Sequence, residues 1–180
     1  MPMMGWGRFA AMIAVSTLVM FPLMYQLVYE PSHATFSLTR LVSSVVMGCV
    51  MAAIMLGFMW KMYEGQGTKL AVLSGSILLG VVTLAVNRQQ TLIGDVDFMR
   101  SMIPHHSIAI NNARKADLRD PRVRALADEI IAAQVKEIAE MKMLVADIQA
   151  NGKRGDGSRL PARSAALTPD LKAEAEAAVR

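Results

Sequence analysis

Three long uncharged stretches fill the first half of the chain, and they restrict its fold more than any other feature. They run over residues 9–29, 41–60 and 70–87. Pro22 and Gln26 interrupt the first, Arg40 and Lys61 bound the second, and Lys69 and Arg88 bound the third. A helix crossing a hydrocarbon core about 30 Å thick needs roughly 20 residues. The first two stretches meet that length and the third falls at the short end of the usual range. Pro22 is tolerable in a membrane helix and predicts a kink. Tyr25, Tyr29, Trp60 and Tyr63 stand near the ends, where interfacial aromatics collect. None of the stretches holds an internal charge of the kind that marks an ion path, which favours an anchor over a transporter.

Lys and Arg near the span ends set the orientation. With the N-terminus inside, Arg8, Lys61 and Lys69 are cytoplasmic while Arg40 and Arg88 are outside. The expectation is a multi-pass protein of the bacterial inner membrane, with its C-terminal half in the periplasm or outside the cell. Ser32-His33-Ala34 has the small-x-small form of a cleavage site. The apolar run before it is longer than a typical signal core of about 7–15 residues, so a retained span is expected over cleavage of residues 1–34.

The apolar fraction of 53% is too high for one soluble domain and is concentrated before residue 89. In the second half Lys and Arg interleave with Asp and Glu, and the net charge is only +4. No basic patch with interleaved aromatics occurs, which disfavours nucleic acid as a partner. The single cysteine, Cys49, lies in an apolar run and cannot form an internal disulfide, so it reads as a lipid-buried or helix-packing thiol. Apolar positions Phe98, Met102, Ala109 and Ala113 predict a helix from about Asp95 to Leu118, kinked or restarted at Pro104. Asp120 and Pro121 form a helix start. A second helix then runs to about Ala150 and stops at Asn151-Gly152. The short break predicts an antiparallel hairpin. A lone hairpin buries little core, so it must pack on another copy, the membrane helices or the tail; a homo-oligomeric four-helix bundle is the simplest solution. The polar stretch after residue 152 reads as a linker leading to a short helix from Pro169. The expected class is therefore all-α: a membrane domain over 1–88, a helical hairpin over 89–151, then linker and short helix over 152–180.

Two of the three histidines stand side by side within that hairpin. Met99, Met102 and His106 are spaced three and four apart and share one helix face, with His105 one step round. On the second helix Gln134, Glu137 and Met141 follow the same spacing. Opposed in a hairpin, the two sets bring thioethers and imidazoles together. That combination suits copper, above all Cu(I). Zinc more often takes Cys, His and carboxylate, and Met serves it poorly. Di-iron bundles need several Glu and a Glu-x-x-His spacing, absent here. Met residues at helical spacing also serve as core, and a histidine pair also serves as a hydrogen-bonded lock. His33, in the outward loop, is a further transient ligand at most.

These residues resemble a known family. "DFMRSMIPHHSIAINNA" followed by "DPRVRALADEIIAAQVKEIAEMKML" is similar to the domain catalogued as domain of unknown function 305, over about residues 95–150. The pattern is carried by Asp97, Phe98, Met102, Ile103, His105, His106, Ala109, Ile131, Gln134, Glu137, Ile138 and Met141. The resemblance implies a ferritin-like helical fold in secreted or membrane-attached bacterial proteins, with copper binding through Met and His in some relatives. Asn112 departs from it, standing where many members have Met. The expected ligands of a copper ion are Met102, His105, His106 and Met141, with Met99 next. Gln134, Glu137 and Asp97 are expected to support them. The expected role is copper sequestration or handover by a protein that is not an enzyme. A metal-free interaction module, or an accessory subunit of a membrane complex, is the alternative.

Overall fold

The computed structural model describes residues 5–179. Among them lie six helices and no strand: α1 (Trp6–Leu23), α2 (Leu38–Phe58), α3 (Gln66–Gln89), α4 (Asp95–Lys115), α5 (Pro121–Asn151) and α6 (Pro169–Val179). The first three are each long and apolar enough to cross a membrane. The first ends sooner than expected. Pro22 has no N–H to give to Leu18, and beyond it the bonds tighten to an i→i−3 pattern, Tyr25 to Pro22 and Gln26 to Leu23. Residues 24–37 therefore leave the helix as the segment that joins α1 to α2.

α2 is the central helix and packs on both α1 and α3. Ser44, Gly48 and Ala52 recur every fourth residue on its buried side, continued by Leu56. Small residues let helix backbones approach closely where the solvent offers no hydrophobic drive. A Cβ at Gly48 would overlap the Thr17 hydroxyl, and one at Gly80 would lie 3.2 Å from the Cys49 Cβ. Cys49 is thus a packing thiol, as its place in an apolar run predicts. Asn87 Nδ2 donates to Ser43 Oγ at 2.9 Å and ties the C-terminal end of α3 to α2.

α4 and α5 form the expected antiparallel hairpin. Asp120 accepts from the Arg122 N–H at 2.9 Å, with Pro121 at the first helical position. Gly152 ends α5 with φ of 80°, a conformation that favours glycine. Lys153 Nζ lies 2.8 Å from Asp95 Oδ2, joining the end of α5 to the start of α4. Asp95 and Asp97 in the first turn of α4, and Arg114 and Lys115 in the last, complement the helix dipole. α4 ends at Lys115, short of Leu118.

Pro104 neither breaks nor restarts α4, which runs unbroken from Asp95 to Lys115. The proline removes the N–H that would serve the Arg100 carbonyl. Thr35 supplies the replacement: its hydroxyl donates to Arg100 O at 2.6 Å. The rest of the α1–α2 segment follows it onto the back of α4. Ser37 Oγ donates to Ser101 Oγ at 3.0 Å, and the Tyr29 N–H donates to Ser107 Oγ at 2.8 Å. The Arg114 guanidinium stacks over the Tyr29 ring. The support the hairpin needs thus comes from the loop between α1 and α2.

His33 belongs to this joint and is no exposed loop ligand. It is buried, with Nδ1 3.0 Å from Ser107 Oγ and Nε2 3.7 Å from Glu30 Oε2. Ser107 Oγ accepts from the Tyr29 N–H and still has a lone pair and its own hydrogen with which to meet Nδ1. Burial lowers the His33 pKa below its ordinary value; nearby Lys142 adds to this and Glu30 opposes it.

Two tests follow from the joint. Thr35→Val leaves the Arg100 carbonyl without its donor and is expected to cost about 1–3 kcal/mol in thermal or denaturant unfolding. In a Pro104→Ala background the restored N–H serves that carbonyl, so the same change costs less, a coupling of about 1 kcal/mol; equal costs in both backgrounds would refute the pairing. With the native-state pKa of His33 lowered, its contribution is complete above the unfolded value of about 6.5 and is lost as pH falls through the lower native value. Unfolding measured against pH should show this acid loss in the wild type and a flatter profile in His33→Gln.

Candidate metal centre

Consecutive helical residues point about 100° apart, so the two neighbouring histidines cannot share one face. The structure divides them. His106 is buried against α5, while His105 is exposed, its ring centroid 6.0 Å from that of His106. His106 donates from Nδ1 to the Met102 carbonyl at 2.8 Å, since a carbonyl can only accept. Its Nε2 stands 2.8 Å from Glu137 Oε2 on α5. The tautomer is thereby fixed: Nδ1 carries a hydrogen, and Nε2 is the atom that holds either a proton shared with Glu137 or a metal. A backbone carbonyl on the other ring nitrogen is the arrangement found behind metal-bound imidazoles.

An open cavity of about 1120 Å³ lies beside this pair, bounded by the α3–α4 link, α4, α5 and Arg159 of the linker after α5. Met99, Met102, His106, Glu137 and Met141 all line it. Four of the five expected ligands therefore meet at one cavity, with one expected supporting residue. His105 is not among its lining residues, nor are Gln134 and Asp97. Gln134 does not reach His106, whose two nitrogens are taken. Its Oε1 is buried and has no hydrogen-bond partner among the described residues. Asp97 is half-buried in the first turn of α4. Asn112 is exposed on α4 and is not a lining residue, so its departure from Met leaves the cavity wall unchanged.

The chemistry on offer is soft. Three thioethers and one imidazole face the space, with the carboxylates of Asp95, Glu137 and Glu140 at its edge. Among the described residues no three of His, Cys, Asp and Glu gather as a hard-donor cluster. A metal held here would have to draw on methionine sulfur, which fits Cu(I) and fits zinc poorly. The same methionines also build the hairpin core. Met99 and Met141 are buried with Ile103, Ile110 and Ile138, and Met102 packs against that cluster. Sequence reasoning missed Asp95 and Glu140 as lining residues and the link from Gln89 to Gly94 as a wall. The signal available for Glu140 was its position three residues beyond Glu137.

Comparison with known proteins bears on this half of the chain. Residues 95–178 match the family described as domain of unknown function (DUF305). The match extends through the linker and α6, beyond the hairpin to which the sequence motif is confined. An uncharacterized protein of Acanthamoeba polyphaga mimivirus is 32% identical over 94 residues, 51% of this chain and 60% of that protein. The chain thus spans about three-fifths of the length of that relative. No solved structure matches the chain.

The two histidines should differ in solution. Imidazole nitrogen NMR of the full chain is expected to show His106 with a persistent hydrogen on Nδ1, and His105 as an averaging, solvent-exposed ring. Glu137→Gln should shift the His106 Nε2 resonance and leave that of His105 in place. Equal behaviour of the two rings would contradict the fixed tautomer.

Proposed function

We propose that the chain is a membrane-anchored copper-binding protein, with a cavity between α4 and α5 taking Cu(I) for sequestration or handover. The supporting observation is the convergence of Met99, Met102, Met141 and His106 on one cavity, with the Met102 carbonyl holding the imidazole so that Nε2 can ligate. Met102, His106 and Met141 are the principal ligands in this reading and Met99 the next, while Glu137, whose contact with His106 is at Nε2 itself, yields that nitrogen to the ion. His105 stands aside from the ion. Three apolar helices hold the hairpin at a membrane surface, and the thin excess of inner Lys and Arg favours the inner membrane with the hairpin outside the cytoplasm. The ferritin-like character implied by resemblance belongs to the same proposal.

One observation favours a second reading. The contact of His106 Nε2 with Glu137 Oε2 spans the hairpin, and the methionines beside it are core, so the site also reads as a polar lock in a metal-free interaction module. Copper titration separates the two. Full-length protein in detergent is expected to hold Cu(I) against a competing chelator at micromolar or tighter affinity. His106→Ala should weaken it by about tenfold or more. Met102→Leu, which nearly conserves volume, should also weaken it, and His105→Ala should leave it unchanged. Failure to compete, or an affinity indifferent to His106→Ala and Met102→Leu together, would remove the copper reading and leave the lock.

A further inference from the structure

α5 has two seams. Ala127, Ile138 and Met141 are buried against α4. One step round the helix, Val123, Leu126, Ile130 and Ala133 recur at spacings of three and four, and the same row continues through Glu137 and Glu140 to Leu144. Every residue of this second row is exposed. Phe98 of α4, itself exposed, lines the same cavity as the lower part of the row. An apolar row of this length on a polar helix needs a cover.

Lipid is a poor one. Glu137 and Glu140 lie in the row, Glu129 and Lys136 lie along its edge, and such charges are costly in hydrocarbon. We propose that the cover is a second copy of this chain, whose α5 packs antiparallel on this row to make a two-fold four-helix bundle. Charge placement carries the choice. The row has coiled-coil spacing, with Glu129 and Lys136 both at the flanking position seven residues apart. In the antiparallel register that sets Ile130 against Ala133 of the second copy, Glu129 faces Lys136 of the second copy, and the symmetry repeats the pair. Both side chains are exposed, and neither has an ion-pair partner among the described residues. The same register lays Leu126 over the methylene stem of Glu137, whose carboxylate is already turned to His106. Because Glu137, Glu140 and Leu144 also line the cavity, the second copy closes its open side. The pairing stands apart from the copper reading.

The mass of full-length protein in detergent, measured by light scattering without metal, tests it. The wild type is expected at two copies. Ile130→Glu, Glu129→Lys and Lys136→Glu should each shift it to one copy, with circular dichroism still helical. Glu129→Lys combined with Lys136→Glu should restore two copies, because the exchange recreates both pairs. A wild type at one copy, or a dimer indifferent to all four variants, would overturn the proposal. So would dimerisation only after removal of residues 152–180, which would make the chain's own tail the cover.

Discussion

Pro104 creates an unserved carbonyl in the middle of α4, and Thr35 serves it from a different part of the chain. That bond helps set the relation between the three apolar helices and the hairpin, because it docks the α1–α2 loop on one side of α4 at a defined register. Ser37 on Ser101, then Tyr29 and His33 on Ser107, follow at successive turns of the same helix face. A hairpin of two helices has little core of its own. This seam gives it a third layer without another domain.

Docking of the back of α4 decides what its front can do. With Arg100, Ser101, Ser107 and Arg114 held by the loop, Met99, Met102 and His106 turn toward α5 and its cavity. The Met102 carbonyl is joined to the imidazole four residues later, so the helix backbone itself sets the ring's tautomer. Glu137 meets the remaining nitrogen from the opposite helix. Backbone carbonyl, imidazole and carboxylate therefore form one line across the hairpin, with thioethers around it. The arrangement combines a packed core and a soft donor set in the same residues.

Much of this was legible in the sequence. Charge-free length gave the three apolar helices, and Asp120-Pro121 and Asn151-Gly152 marked the limits of α5 to within a residue. Helical spacing alone brought Met99, Met102, His106, Glu137 and Met141 together. The loop seam was not legible, because Thr35, Ser37 and Ser107 are ordinary residues whose partners lie more than sixty positions away. For the same reason His33 read as a loop histidine and Pro104 as a kink or restart, although each is explained by the other segment. His105 read as a ligand because it stands three residues from Met102, one step round from His106, and in the structure that one step turns it to solvent. Gln134 lies on the inward row but not against the imidazole, a distinction that spacing cannot make.

The soft donor set can be observed directly by X-ray absorption on full-length protein loaded with one equivalent of Cu(I). Convergence of Met99, Met102, Met141 and His106 predicts a mixed shell dominated by sulfur with one imidazole nitrogen, and loss of the imidazole scattering in His106→Ala but not in His105→Ala. A shell of nitrogen and oxygen alone, or no copper retained, would contradict it.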